Sequence, residues 1–233
     1  MKTQDHAREV ARAFAEPPAS GAPGCARRSC GVHRRALNHL KRVDPVLARV
    51  IRAVGPCRFR VRDDLPYVPY LARAIVYQQL SGKAAATIFG RLEAQCGGAV
   101  TAAAIAALSA ARLRAAGLST QKTRYVKDLA ARVLAGALPL ADLEARSDAE
   151  VIATLTQVTG IGRWSAHMFL LFRLGRPDVL PDLDLGIQKA IQRAYRLRAL
   201  PSPGRVRRIG AAWSPHASIA SWYLWRSLDG PAA

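Results

Sequence analysis

The sequence predicts an all-α protein. From position 33 onward, apolar residues recur at three- and four-residue spacing through nearly every segment. Those segments are joined by short turns marked with Gly, Pro or a capping Ser or Asp. A single stretch, CRFRVRDDLP at 57–66, alternates as a strand would, and one such run is too short to support a sheet alone. Without alternating strands there is no basis for a dinucleotide-binding fold or a barrel, and no repeat of solenoid length is visible.

Taken in order, HRRALNHLKR (33–42) reads as an amphipathic helix. DPVLARVIRAVG (44–55) reads as another, opened by Asp44 as N-cap with Pro45 at the first helical position. PYLARAIVYQQL (69–80) has its apolar face on Leu71, Ile75 and Val76, and Ser81-Gly82 interrupts it before KAAATIFGRLEAQCG resumes. TAAAIAALSAARLRAAG (101–117) and TQKTRYVKDLAARVLAG (120–136) follow, joined by Gly117-Leu118-Ser119. Ser147 caps DAEVIATLTQV, the turn Gly160-Ile161-Gly162 leads into WSAHMFLLFRLG, and the loop RPDVLPDLD precedes LGIQKAIQRAYRL. The basic RVRRIGAAW and then SPHASIASWYLWRSL complete roughly ten helices. Before position 31 the chain differs: PPASGAPGCARRSCG is rich in Pro, Gly and Ser, so residues 1–30 are expected to be a flexible basic tail.

Composition narrows the function. Against 16 Asp and Glu stand 35 Lys and Arg, a formal charge of +19, which favours a polyanionic partner and salt-sensitive encounter. Cys25, Cys30, Cys57 and Cys96 have neither paired zinc spacing nor an iron–sulfur ligand run, and read as thiols of a reducing compartment. The first residues lack the long apolar core of a secretory signal, and no uncharged apolar stretch reaches membrane-spanning length. Cytoplasm, beside the nucleoid, is the expected location and no membrane contact is expected.

The helix–TGIG–helix pattern at 155–172 has two physical readings. Gly160 and Gly162 permit backbone angles that a side chain resists, and they leave the amides of the next helix unobstructed, so that a phosphate could rest on them beside Arg163. The same glycines can simply solve packing at a helix corner. Three aspartates follow: Asp178, Asp182 and Asp184, the last also placed to cap LGIQKA. Trp164 is either core or an aromatic stacking surface, and Leu80 either core or an exposed apolar tip.

Together these residues resemble a known family. LTQVTGIGRWSAHMFLLF (155–172) with GRPDVLPDLD (175–184) is similar to the helix–hairpin–helix and Gly/Pro-rich, aspartate-bearing loop of a superfamily of DNA glycosylases. YQQLSGKAA (77–85), GLSTQKTRYVKDLA (117–130) and WYLWR (222–226) resemble its AlkA-like 3-methyladenine DNA glycosylase II branch, over about residues 33–229. The resemblance implies a two-lobed helical fold with a cleft between lobes and without the extra N-terminal β domain of some relatives. One lobe would comprise 31–66 with 181–233 and the other 67–180, the hairpin motif lying at 151–173.

The function implied is hydrolysis of the N-glycosidic bond of alkylated purines, of the 3-methyladenine and 7-methylguanine type, in duplex DNA by a monomer. Asp184, just before Leu185-Gly186, would be the catalytic carboxylate, with Asp182 as fallback and Asp178 shaping the loop. Such a carboxylate would stabilise the oxocarbenium-like sugar and orient the attacking water. Trp164, Tyr77 and Phe169 would line the base pocket, where a cationic alkylated purine gains from a π face. Leu80 would be the wedge that fills the flipped base's place, with Leu118 the alternative, and Gln78 and Gln79 would meet the base opposite the lesion. Gly160, Gly162, Arg163, Ser81, Lys83, Lys122 and Arg124 would hold the DNA backbone. The carbonyls of Thr156, Val158 and Ile161 would take Na+ or K+; no cofactor is required and no iron–sulfur cluster is expected.

Relatives that also cut the strand carry a lysine after the hairpin's Gly-x-Gly-Arg, and this chain has Trp164, so base removal without strand cleavage is expected. One departure stands out: His216-Ala217-Ser218 occupies the place of an aromatic–arginine–serine triplet. Two rival readings remain at this stage, a noncatalytic DNA-binding hairpin module and an RNA- or protein-binding helical scaffold.

Overall fold

The computed structural model describes residues 26–62 and 65–229, with side chains from His33 onward. Most of the expected tail, with Cys25, lies outside the described residues. Among those described, every regular element is a helix. The chain divides into two compact units: residues up to Arg62 with those from His167 onward, and 63–166. The second boundary falls earlier than position 180, so the aspartate-bearing loop groups with the chain's end.

In the terminal unit, α1 (Ala26–Val43) starts earlier than position 33 and takes in the end of the segment expected as tail. Helix α2 (Pro45–Val54) is capped by Asp44, whose Oδ1 accepts from the amides of Val46 and Leu47, each at 2.9 Å. Its Oδ2 accepts from the Trp213 indole N–H at 2.8 Å and from the Tyr195 hydroxyl. One carboxylate therefore caps a helix, an effect of about 1 kcal/mol, and pins two distant aromatics. Burial, then the bond to Asp44, pushes the Tyr195 hydroxyl well above the usual phenol range.

Helices α10 (Leu185–Ala194) and α12 (Ala217–Arg226) pack on α2, α12 and the 3-10 turn Ala211–Trp213 pack on α1, and α11 (Pro203–Gly210) packs on α10 and that turn. Leu40, Leu47, Ile51, Ile187, Trp213 and Tyr223 fill the core, each large apolar side chain contributing about 1.5–3 kcal/mol. The alternating stretch at 57–62 forms no strand. With no second strand to pair with, its Arg62 amide donates to the Phe172 carbonyl at 2.6 Å, and the Phe59 ring lies 5.8 Å from that of Phe172.

The central unit holds α3 (Tyr67–Tyr77), α4 (Gly82–Gln95), α5 (Ala102–Ala107), α6 (Ala110–Ala115), α7 (Thr120–Leu134) and α8 (Asp148–Leu155). It also takes the first four residues of α9 (Arg163–Phe172). The run 101–117, expected as one helix, is two, because the Ser109 hydroxyl accepts from the Arg112 amide at 3.2 Å and starts a new one. Helix α7 packs against α3, α5 and α6. Thr123, Val126, Leu129 and Ala130 form its buried stripe, and Lys127 Nζ reaches back to the carbonyls of Ala106, at 2.9 Å, and Leu108 at the end of α5.

Candidate nucleic-acid interface and carboxylate site

The hairpin Thr156–Gly162 joins α8 to α9, and three neighbours in the central unit hold it. Gly160 has φ +86°, and a Cβ there would lie 2.2 Å from Tyr125 Cδ2, so both backbone angle and space demand glycine. Thr159 N–H donates to Asp128 Oδ2 at 2.7 Å, and Asp128 is paired with Arg132 at 3.0 Å. Burial alone would raise the Asp128 pKa, but the Thr159 and Arg132 donors hold it below the usual carboxylate range. Gln78 Nε2 donates to the Gly160 carbonyl at 2.8 Å.

Gly162 differs from the expectation that both glycines are conformationally required. It does not lie at positive φ, and a Cβ there would meet nothing within 4 Å. Its carbonyl accepts from Ala166, and Gly162 and Arg163 are exposed at the start of α9.

Next to the hairpin's Gln78 contact is the loop between α3 and α4. Gln79 sits at φ +55°, a left-handed conformation uncommon for a residue with a side chain. Leu80 is half-buried, Gln79 exposed, and exposed Ser81 caps α4 by accepting from Ala84 N–H at 3.4 Å. Lys83 and Arg124 are exposed as well. Lys122 is not among these outward cations. Its Nζ donates to the carbonyls of Val76 at 2.7 Å and Gln78 at 2.6 Å, and burial pulls its pKa down to about 8. Leu118 is 4% exposed and belongs to the core of the central unit, which removes it as a surface wedge.

The three aromatics proposed for a base pocket have different surroundings. Trp164 is half-buried. Tyr77 is buried, its hydroxyl accepting from Arg73 Nη2 at 3.0 Å while the guanidinium carbon sits 4.2 Å from the ring centroid. Phe169 is 1% exposed in the core of the terminal unit.

The three loop aspartates also have different partners. Asp178 accepts from the Ser214 hydroxyl at 2.6 Å and the Ala217 amide at 3.1 Å. Asp182 is buried and ion-paired with Arg207, a partner not anticipated from the sequence. Asp184, 1% exposed, is the N-cap of α10: Oδ1 accepts from the Ile187 amide at 2.8 Å and the Trp225 indole N–H at 2.9 Å. A Cβ on Gly186 would come 2.9 Å from that oxygen and 3.1 Å from Trp225 Cδ1. Trp225, within WYLWR, is buried, and its N–H is aimed at Asp184, a contact that nothing local in the sequence announces. Within the divergent triplet, Ser218 Oγ donates to the Arg176 carbonyl at 2.6 Å and accepts from the Val179 amide at 3.0 Å. The serine therefore keeps a loop-holding task whatever precedes it.

Among the described residues no three His, Cys, Asp or Glu side chains gather as a metal site, Cys57 and Cys96 are free thiols, and no helix is long and apolar enough to cross a membrane.

A basic helical chain with a glycine-pinched hairpin and a capping carboxylate on the following loop defines a class, that of helix–hairpin–helix DNA repair proteins. Residues 72–216 match the model of the HhH-GPD superfamily of base excision DNA repair proteins, and the chain belongs to that superfamily. It is 34% identical over 195 residues to the DNA-3-methyladenine glycosylase 1 of Schizosaccharomyces pombe, covering 81% of this chain and 85% of that one. A solved structure of the 3-methyladenine DNA glycosylase of that yeast, in complex with abasic DNA, superposes with a TM-score of 0.72 at 33% identity over 82% of this chain and 95% of its own. A DNA-3-methyladenine glycosidase from Bacillus halodurans gives a TM-score of 0.75 at 32% identity, over 84% and 89% of the two chains.

Proposed function

We propose that this protein is a monofunctional DNA glycosylase that releases alkylated purines from duplex DNA and leaves an abasic site. The observation that carries the reading is Asp184. A carboxylate is held at one oxygen by the Ile187 amide and the Trp225 indole, on the loop where the resemblance implies a catalytic aspartate. The similarity to 3-methyladenine glycosylases of two organisms supports the substrate class.

The chemistry follows from charge. Departure of the base leaves a sugar cationic at C1′ and O4′, and a fixed carboxylate stabilises it without reorganising. Two donors on Oδ1 orient Asp184, which aligns the attacking water and accepts its proton. An N3- or N7-alkylated purine already carries positive charge, so departure asks for no general acid from the protein. Trp164 offers the π face on which such a cation gains most. Phe169, 1% exposed, serves as core packing, and Tyr77 already carries the Arg73 guanidinium over its ring. Asp182 is withdrawn from chemistry by its pairing with Arg207.

The backbone of the DNA would lie on the hairpin. Gly162 is a glycine that the protein's own packing does not require, which fits a place kept open for a phosphate beside Arg163. Ser81, Lys83 and Arg124 supply further exposed contacts, Leu80 the wedge, and Gln79 the contact to the opposite base. The carbonyls of Thr156, Val158 and Ile161 suit a monovalent cation: Val158 already accepts from Ile161 N–H at 3.0 Å and keeps its second lone pair. Such an ion would add positive charge where phosphate approaches. No lysine stands after the hairpin, and Lys122 is tied to two carbonyls, which supports base removal without imine formation through either position.

Asp184→Asn is the test. Asparagine keeps an oxygen for both donors and is a good cap, so the variant should fold as the wild type does. It should release 7-methylguanine from methylated duplex DNA at least about a hundredfold more slowly. The wild-type product should nick only after hot alkali. Equal release by the variant would remove Asp184 from the reaction, and nicking without alkali would end the monofunctional assignment.

A further inference from the structure

We propose that Lys122 is a positioning residue which, from helix α7, fixes the Gln78–Ser81 loop in the shape that enters duplex DNA. This rests on reading that loop as the inserted element.

The loop needs a restraint. Helix α3 ends at Tyr77, and beyond it the backbone turns through the left-handed Gln79, a conformation that is unfavourable for a residue with a side chain. At the turn the Gln78 amide donates to the Ile75 carbonyl over a long 3.3 Å. Lys122 adds a stronger hold. Its ammonium lies against the end of α3, where the helix leaves carbonyls without intrahelical partners, and takes Val76 O at 2.7 Å and Gln78 O at 2.6 Å. A cation at this end also meets the negative pole of the helix dipole. Its depressed pKa records the cost of holding a charge in so enclosed a place.

The same residue that receives the ammonium passes the restraint on. Gln78 accepts from Lys122 through its carbonyl and donates to the Gly160 carbonyl through its side chain at 2.8 Å. Tyr125 and Asp128, one and two turns along α7 from Lys122, hold the other side of that hairpin at Gly160 and Thr159. The loop and the hairpin, both DNA-facing in the proposed function, are thus set against each other through one helix. Nothing in this arrangement needs Lys122 to touch DNA, which separates its role from that of Lys83 or Arg124.

Lys122→Met tests this: it keeps the aliphatic stem and removes both donors together with a charge that is costly to bury. Four quantities are compared with wild type: the melting temperature, amide exchange over residues 76–81 without DNA, single-turnover base release, and affinity for undamaged duplex. Expected are a melting temperature within a few degrees, exchange at Tyr77 and Gln78 at least tenfold faster, and base release at least tenfold slower, with undamaged-duplex affinity within twofold. Unchanged exchange at Tyr77 and Gln78 would overturn the proposal, as would base release that falls only in proportion to lost stability. Should Lys122→Met fail to fold, Lys122→Gln replaces it, keeping a polar end on a stem too short to bring a donor to both carbonyls. Faster exchange over 76–81 in that variant supports the restraint and unchanged exchange overturns it. Wild-type protein that released no base would defeat the proposed function, while the exchange comparison, made without DNA, would still decide whether Lys122 holds the loop.

Discussion

Replacing Gly160 by alanine separates two reasons for a hairpin glycine. At φ +86° an alanine bears left-handed strain of about 1–2 kcal/mol. Its Cβ would also lie 2.2 Å from Tyr125 Cδ2, 2.4 Å from Cε2 and 2.5 Å from Cγ. Cγ is at the stem of the ring, so a rotation of the tip does not relieve the overlap and ring or hairpin must move, adding about 1–3 kcal/mol. The sum, about 2–5 kcal/mol, is a large share of the about 5–15 kcal/mol of a typical domain. In a Tyr125→Ala background the overlap is gone and only the strain remains, so the same substitution should cost about 1–2 kcal/mol. Urea unfolding of the four proteins in this cycle measures the difference, which should be about 1–3 kcal/mol of coupling. Displacement of the hairpin would also disturb the Gln78 and Asp128 bonds at 2.8 and 2.7 Å, so Gly160→Ala should bind duplex DNA more weakly at moderate salt. An equal cost in both backgrounds would refute the steric argument.

Other outcomes follow from the same geometry. Gly186→Ala places a Cβ 2.9 Å from Asp184 Oδ1 and should slow base release at least tenfold while the circular dichroism spectrum remains helical; an unchanged rate would mean that the carboxylate's exact seat is unimportant. Trp225→Phe removes one of two donors to that oxygen and should cost about 1 kcal/mol of stability and lower kcat more than DNA affinity, read by urea midpoints and single-turnover kinetics. Lys122, at about 8 when folded against about 10.4 when unfolded, makes the unfolded chain bind more protons between those values. Its contribution to stability therefore rises with pH across that window and is lost as pH falls towards 8. Wild type should gain about 1–2 kcal/mol on Lys122→Met between pH 7.5 and 10.5, solvent screening of the half-buried ammonium taken into account; a constant gap in unfolding free energy would contradict the enclosed ammonium. Gly210→Ala, whose Cβ would lie 2.4 Å from Leu180 Cδ2 and 3.0 Å from Trp213, should lower the melting temperature by several degrees.

Much of the helical plan was legible because it is local. Asp44 and Pro45, Ser147 with Glu150, and Asp184 ahead of Leu185 are start signals read within four residues, and each sits at a helix start. The split at Ser109 was hidden in an alanine-rich run whose periodicity survives the break. The start of α1 was hidden for the opposite reason, since SCG reads as loop in isolation.

Site chemistry was legible where a motif is contiguous and illegible where it is not. Gly160 announced itself in TGIG, yet the ring that makes it obligatory is Tyr125, thirty-five residues earlier. Basic side chains on a cationic chain all look like phosphate contacts in one dimension, and Lys122 turned inward only because two carbonyls at a helix end lie within its reach. Position ahead of Leu185 favoured Asp184 over Asp182, but their partners, Arg207 for Asp182 and an indole N–H for Asp184, come from distant parts of the chain.

Lys122, Tyr125 and Asp128 are three residues apart in succession, so they rise along one flank of α7 beside its apolar row. Their common reach depends on phase: a single residue inserted between them would swing everything beyond it by about 100°. Surface loops absorb a change of one residue more readily, but this stretch of helix has a fixed pitch and count, and a one-codon indel within it should part the three holds and turn Val126 and Leu129 out of the core together.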